Sequence, residues 1–159
     1  DGEHSIKDCF DVTSKTLQSV FKHLKFHKVY LEGVLLKPNM VISGTKNKKQ
    51  ASVSEVAEMT VKCLKKNVPD DLPGIVFLSG GQSNELATQH LNEMNKKYNN
   101  LPWNLSFSYG RALQQPALSK WLGEDSNIEL SQKALLQRSK LNSDAASGIY
   151  NSEDEKLML

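Results

Sequence analysis

Residues 75–83 read Ile-Val-Phe-Leu-Ser-Gly-Gly-Gln-Ser and join a short apolar run to a glycine pair and a helix-capping serine. The apolar run has the length of a buried strand, and glycines can adopt the positive φ values of a tight turn. The residues after Ser83 include an apolar face with helical spacing, at Leu86, Ala87, His90, Leu91 and Met94. This stretch therefore predicts a strand, a glycine-rich turn and a helix in direct succession.

The same succession is expected before and after this stretch. The apolar run from Val29 to Leu36 ends at Lys37 and predicts a buried strand, and Trp103 to Ser108 predicts another. Apolar residues at helical spacing follow each run, at Ser54 to about Asn67 and at Ala112 to Trp121. Three strands that alternate with helices predict a parallel sheet with right-handed crossovers, so the fold class is α/β.

Further helices are expected at both ends of this core. Apolar residues recur at intervals of three and four from Ser5 to about Phe26, and Asp8 is placed to complete a capping box with Ser5. A last helix is expected between Asn127 and Asn142, whereas the polar residues 148–159 predict a mobile C-terminal tail. A whole (β/α)8 barrel takes about 250 residues, so 159 residues fit a small open sheet or part of a barrel.

Composition excludes several classes of protein. The 20 Lys and Arg residues against 18 Asp and Glu give a net charge of +2, without the basic field that nucleic-acid binding needs. No apolar run approaches the roughly 18 residues of a transmembrane helix. The only cysteines, Cys9 and Cys63, do not form a disulfide scaffold, which predicts a reducing, cytoplasmic location. The chain begins without a Met, and we expect that Asp1 is not a natural start.

Polar residues that suit an anion follow two neighbouring strands. They are Ser79, Gly80, Gly81, Ser108, Gly110 and Arg111. Parallel strands bring their carboxyl ends to one edge of the sheet, where ligands bind. A glycine pair beside a helix start can present N–H groups to phosphate, and a guanidinium can bind phosphate with two parallel hydrogen bonds. The alternative to an anion-binding role is a plain tight turn for the glycine pair. For Arg111, the alternative is a salt bridge to a helix carboxylate.

Lys37 is the candidate nucleophile. It follows the apolar end of the first strand, where its amine could be held partly away from water. Desolvation favours the neutral amine, which is the form that attacks a carbonyl group. A lysine that simply turns to solvent is the more frequent case. His23 and His27 stand four apart on the first helix, but no third ligand is near, so no metal site is predicted.

Three longer motifs include these strand ends. They read Leu-Glu-Gly-Val-Leu-Leu-Lys-Pro-Asn-Met-Val at 31–41, Phe-Leu-Ser-Gly-Gly-Gln-Ser at 77–83 and Phe-Ser-Tyr-Gly-Arg-Ala-Leu at 107–113. In order and spacing they closely resemble the class I fructose-1,6-bisphosphate aldolases of eukaryotes. The resemblance implies a TIM (β/α)8 barrel, of which residues 1–147 would be the C-terminal half with strands six to eight.

The resemblance also implies a reaction. Lys37 would form a Schiff base in the reversible cleavage of fructose 1,6-bisphosphate to dihydroxyacetone phosphate and glyceraldehyde 3-phosphate, a step of glycolysis. The six residues named above would bind the sugar phosphate, and no metal or other cofactor would be needed. In the family, the first five strands supply an acidic residue, further lysines and an acid–base glutamate. None has a counterpart here, so we expect weak or absent turnover from this chain.

Two alternatives to an enzyme stay open. Members of the family bind actin and the acidic cytoplasmic tails of adhesins, and Lys46, Lys48, Lys49 and Arg111 could keep such a surface in a non-catalytic interaction module. A solvated loop is the simpler account of the three lysines. A chain without independent function would instead expose strand edges that associate. Family members are usually homotetramers and end in a tyrosine, whereas no Tyr follows Tyr150 here.

Overall fold

Three parallel strands form the centre of the computed structural model, which describes residues 1–156. They are β1 (Leu35–Leu36), β2 (Gly74–Phe77) and β3 (Asn104–Phe107). The strands lie in chain order, and β2 pairs with both of its neighbours. A helix connects each strand to the next, which is the usual connection between parallel strands. The predicted α/β class is therefore confirmed.

Five α-helices accompany the sheet within the described residues. They are α1 (Ile6–Phe26), α2 (Val53–Asn67), α3 (Asn84–Lys97), α4 (Arg111–Trp121) and α5 (Ile128–Ala146). Each lies where the sequence predicts a helix, although α5 runs past the predicted end at Asn142. The predicted capping box is present, because Ser5 Oγ accepts from the Asp8 N–H and the Asp8 carboxylate accepts from the Ser5 N–H. None of the described helices is long and apolar enough to cross a membrane.

The core lies around the central strand. Ile75 and Phe77 of β2 are fully buried, and so are Leu91 and Met94 on the facing side of α3. These α3 residues belong to the apolar face that the sequence predicts. β2 has a strand on each side and helices packed on the sheet, which accounts for the full burial of Ile75 and Phe77.

The first strand differs from its prediction. The run from Val29 to Leu36 forms a 3-10 turn at Leu31–Gly33 and only two residues of strand, and Leu35 is 62% exposed. The cause is the position of β1 at the edge of the sheet, since no strand of the described residues pairs with its outer side. The prediction of a buried strand over these residues is wrong for this chain.

The segment after α5 contacts the helices. Arg138 of α5 forms an ion pair with Glu155, and Tyr150 Oη donates to Glu155 Oε1 at 2.9 Å. Tyr150 is itself buried, and burial raises the pKa of its hydroxyl. The ion pair attaches the segment to α5, together with Gln137 Nε2, which donates to Glu155 O at 3.1 Å, and the hydrogen bond from Tyr150 lies within the segment. The mobility predicted for residues 148–159 stays a prediction, and residues 157–159 lie outside the described part of the chain.

The start of the chain lies against the loop after β1. The N–H groups of Gly44 and Lys46 donate to His4 O and Gly2 O, each at 2.9 Å. Gly44 is required for this approach, because a Cβ at that position would overlap the carbonyl group of Gly2. Two backbone hydrogen bonds and one glycine therefore fix residues 2–4 beside the sheet.

Gly44→Ala is expected to release this segment and to lower the free energy of unfolding by about 1–3 kcal/mol, the usual cost of overpacking. The obstacle is backbone, so no side-chain rotation relieves it. Urea unfolding measures the loss, and faster amide exchange at Lys46 locates it. Gly33→Ala is the matched control, because its Cβ would lie 3.3 Å from the ring of the exposed Tyr30, which can move aside. Equal unfolding midpoints for Gly44→Ala and Gly33→Ala would contradict the role of Gly44 in fixing the start of the chain.

Candidate functional site

The three strand ends that carry the predicted site residues meet at one edge of the sheet. Lys37 follows β1, Ser79 comes two residues after β2, and Ser108 directly follows β3. Hydrogen bonds continue beyond the strands: the Leu78 N–H donates to Pro38 O at 3.0 Å, and the Ser108 N–H donates to Phe77 O at 2.9 Å. The strand ends are thus held side by side, as the sequence predicts.

Ser79 to Gln82 form a tight turn. The Gln82 N–H donates to Ser79 O at 3.1 Å, and Gly80 and Gly81 have φ values of +59° and +82°. Two successive positive φ values are accessible to glycine with little strain. The N–H groups of Gly80 and Gly81 donate to no carbonyl oxygen of the described backbone. The turn therefore leaves two N–H groups available to a ligand.

The turn lies next to the start of α3. Ser83 Oγ accepts from the Leu86 N–H at 3.1 Å and caps this helix. The positive end of the helix dipole and the N–H groups of the turn together favour an anion. The structure therefore has the local geometry that the sequence predicts for residues 79–83.

Arg111 shares an opening with the glycine turn. A Cβ built on Gly81 would lie 3.7 Å from Arg111 Nη2 and 3.4 Å from Asp1 Oδ1. Arg111 is exposed, and no carboxylate of the described residues lies within ion-pair distance of it. The predicted alternative, a salt bridge to a helix carboxylate, is not found among these residues. Asp1 is a neighbour of the site that the motifs do not indicate.

The end of β3 is fixed by Tyr109. Its Oη donates to Ala87 O of α3 at 2.9 Å, and burial raises the pKa of the hydroxyl. Ser108 before it is half-buried and Gly110 after it is exposed, with nothing within 4 Å of the place where a Cβ would lie. The buried ring therefore anchors the backbone from which Ser108, Gly110 and Arg111 extend.

Lys37 is exposed. It leaves the edge strand β1, whose outer side no described strand covers, so solvent reaches the amine. The predicted partial desolvation of this amine is therefore wrong for this chain. Pro38 beside it is buried, and its carbonyl group accepts the hydrogen bond from Leu78. The backbone at Lys37 is thus well placed, although its side chain lies in water.

Gln82 links the turn to the interior. Its Nε2 donates to Ser79 O at 2.8 Å, and its Oε1 lies 2.5 Å from His90 Nδ1. His90 is 2% exposed, its Nε2 has no hydrogen-bond partner among the described residues, and burial lowers its pKa to about 4. Neither residue is among the predicted site residues. The sequence signal that indicates His90 is the helical spacing of the apolar residues, which puts His90 on the buried face of α3.

A pocket of about 340 Å³ lies behind the turn. Gly81, Gln82 and His90 line it together with the loop that precedes α2. A larger groove of about 840 Å³ lies beside Tyr30 and Pro69, at the amino ends of the strands, and contains none of the predicted site residues. Residues 1–156 hold no group of three or more His, Cys, Asp and Glu side chains placed to bind a metal ion.

The fold is a series of parallel strand–helix units whose strand ends meet at one edge of the sheet, which is the arrangement found in (β/α)8 barrels. The sequence profile of the glycolytic fructose-bisphosphate aldolase class-I family matches residues 1–158. The chain therefore belongs to the class-I fructose-bisphosphate aldolase family, and the predicted membership is confirmed.

Named relatives agree with this assignment. The chain is 54% identical to the probable fructose-bisphosphate aldolase class 1 of Xanthomonas axonopodis, over 93% of this chain and 44% of the relative. It is 49% identical to the cytosolic fructose-bisphosphate aldolase 6 of Arabidopsis thaliana, over 96% of this chain and 42% of the relative.

Comparison with a solved structure supports the same family membership. It is the fructose-bisphosphate aldolase of Plasmodium falciparum in complex with TRAP and a small-molecule inhibitor. The TM-score is 0.92 at 47% identity, over 96% of this chain and 44% of that one. The chain thus spans less than half the length of these relatives and corresponds to their C-terminal part. The predicted TIM-barrel relation is confirmed.

Proposed function

We propose that this chain carries the Schiff-base lysine and one phosphate site of a class I aldolase. The reaction is the reversible cleavage of fructose 1,6-bisphosphate to dihydroxyacetone phosphate and glyceraldehyde 3-phosphate, a step of glycolysis. The observation that carries the proposal is the shared opening of the glycine turn and Arg111, with Lys37 on the neighbouring strand end.

In this proposal a base takes a proton from the Lys37 ammonium group, and the neutral amine then attacks the ketone carbonyl of the sugar. An acid then protonates the hydroxyl group of the carbinolamine, which leaves as water and gives a protonated imine. When a base removes the proton of the C4 hydroxyl group, the C3–C4 bond breaks and its electron pair moves into the imine. The products are an aldehyde and an enamine bound to Lys37. Protonation and hydrolysis of the enamine then release dihydroxyacetone phosphate and restore the amine.

The proposed phosphate site combines two kinds of donor. The N–H groups of Gly80 and Gly81 have no backbone acceptor, and the exposed guanidinium of Arg111 lies beside them. Ser108 and Gly110 belong to the same strand end, and Ser79 begins the turn. Charge-assisted hydrogen bonds to phosphate are roughly twice as strong as neutral ones, so this site would orient the ketone toward Lys37.

The acid–base groups of the reaction are not assigned to this chain. Carbinolamine dehydration and C–C cleavage both need proton transfer, which contributes roughly 10²–10⁴-fold to rate. We expect these groups in the part of the aldolases that this chain does not match. Low turnover by this chain alone is therefore expected, even with imine formation at Lys37.

Borohydride trapping with dihydroxyacetone phosphate tests the proposal. Reduction of the imine is expected to leave one stable adduct, which peptide mass mapping places on Lys37. Lys37→Met should abolish that adduct, whereas the exposed control Lys46→Met should keep it, because Lys46 lies in the loop after β1. An equal adduct in Lys37→Met would overturn the proposal. So would the absence of any adduct when the N-terminal part of an aldolase is supplied as a second chain.

Location and partners are also proposals. Two relatives are named cytosolic or cytoplasmic, and we propose the same compartment for this chain. Binding of actin or of acidic cytoplasmic tails, the alternative from the resemblance, has no specific observation in its favour and stays a prediction. The homotetramer implied by the resemblance likewise stays a prediction.

A further inference from the structure

The amide group of Gln82 has a defined orientation. Its nitrogen lies 2.8 Å from Ser79 O and 3.7 Å from Met40 Sδ, and both atoms are acceptors. An amide oxygen in that place would face Ser79 O with no proton between the two oxygens. The nitrogen therefore occupies this side, and Oε1 faces His90.

His90 is the donor in the next hydrogen bond. Gln82 Oε1 can only accept, so the proton between it and His90 lies on Nδ1. Burial lowers the pKa of His90 to about 4, and the imidazole is therefore neutral at pH 7 with its single proton on this nitrogen. A continuous path of two hydrogen bonds then runs from α3 to the carbonyl group of Ser79.

We propose that His90 and Gln82 are positioning residues that hold the turn at Ser79 to Gln82 in its anion-binding shape. This inference rests on the proposed function, because the turn is part of the proposed phosphate site. Ser79 O accepts two hydrogen bonds, one from the Gln82 N–H and one from Gln82 Nε2. With this carbonyl group fixed, the N–H groups of Gly80 and Gly81 stay available at the opening beside Arg111.

Packing alone does not account for an imidazole at this position. Burial of a polar ring costs free energy unless its polar atoms find partners, and His90 Nε2 has none among the described residues. A leucine would fill the same space on the apolar face of α3 without that cost. The hydrogen bond from Nδ1 to Gln82 is what histidine adds there.

The test uses inorganic phosphate as the probe and four variants of the chain. His90→Leu and Gln82→Met remove the path to Ser79. His90→Asn keeps it, because the asparagine Nδ2 occupies the place of His Nδ1. Thr88→Val is the matched control: Thr88 is buried on the same helix, but its hydroxyl bonds to Asn84, Asn142 and Arg138 rather than to the turn.

In the wild-type chain, phosphate is expected to shift the amide resonances of Gly80 and Gly81. His90→Leu and Gln82→Met are expected to weaken phosphate binding about five- to tenfold, as the loss of one hydrogen bond predicts. They should also speed amide exchange at Gln82 without phosphate. His90→Asn should restore wild-type affinity, and Thr88→Val should retain it.

Three results would overturn the inference. Wild-type phosphate affinity in His90→Leu would remove the positioning role and leave the proposed phosphate site intact. An equal loss of affinity in Thr88→Val would assign the effect to general loosening of α3. Unchanged Gly80 and Gly81 resonances in the wild-type chain would reject both the phosphate site and the inference.

Discussion

Arg138→Met is expected to lower the free energy of unfolding by about 3 kcal/mol, a value typical of breaking a buried ion pair. The Arg138 side chain is only 4% exposed and pairs with Glu155. It also donates to Thr88 Oγ1 at 2.6 Å and to Asn84 O at 3.2 Å. Its removal therefore leaves a half-buried carboxylate without a cation and breaks two hydrogen bonds from α5 to α3.

Urea unfolding measures this effect. Lys140→Met is the matched control, because Lys140 lies on the same helix and pairs with Asp144 at the surface. Exposed pairs contribute little, so the control should unfold close to the wild-type midpoint. Glu155→Gln should destabilise as well, since it leaves the Arg138 cation buried without its counter-ion. If Arg138→Met and Lys140→Met unfold at the same urea concentration, the pair between Arg138 and Glu155 does not stabilise the chain.

Acidification from pH 6.5 to about 4 is expected to remove about 3 kcal/mol of stability through His90 alone. Burial lowers the pKa of this imidazole from 6.5 to about 4 in the folded chain. In this range the unfolded chain binds a proton that the folded chain does not, which favours unfolding. The contribution is fully present above pH 6.5 and is lost as the pH falls toward 4.

A comparison with His90→Asn isolates this effect. Carboxylates also titrate in the acid range, but they do so in both proteins, so the difference between the two free energies of unfolding reports on His90. The wild-type chain should lose stability faster than the variant between pH 7 and 4. A difference that stays constant over this range would contradict the assignment of a neutral, buried imidazole.

Local signals in the sequence predict most of the helices. Ser5 and Asp8 are three residues apart, and the capping box that they form needs nothing from the rest of the chain. The turn at Gly80 and Gly81 is predictable for the same reason, because positive φ values favour glycine wherever they occur. These features depend on neighbouring residues alone.

Features that depend on distant residues are predicted poorly. Leu35 lies in an apolar run and Lys37 directly follows it, but their burial requires a strand on the outer side of β1. No pattern in the sequence indicates that Arg138 is buried, because Glu155 and Thr88 are brought to it from elsewhere in the chain. His90 is placed correctly on its helix face, yet its partner Gln82 becomes evident only from the three-dimensional contact.

The strand order β1, β2, β3 is also the order in which the ribosome delivers these segments. Each strand–helix unit can dock on the unit synthesised just before it, because domains fold progressively from the N-terminus. Glu155 is the exception, since it pairs backward with a helix that is already complete. Arg138 therefore has no counter-ion until Glu155 has been synthesised, and the ion pair that holds the segment after α5 can form only then.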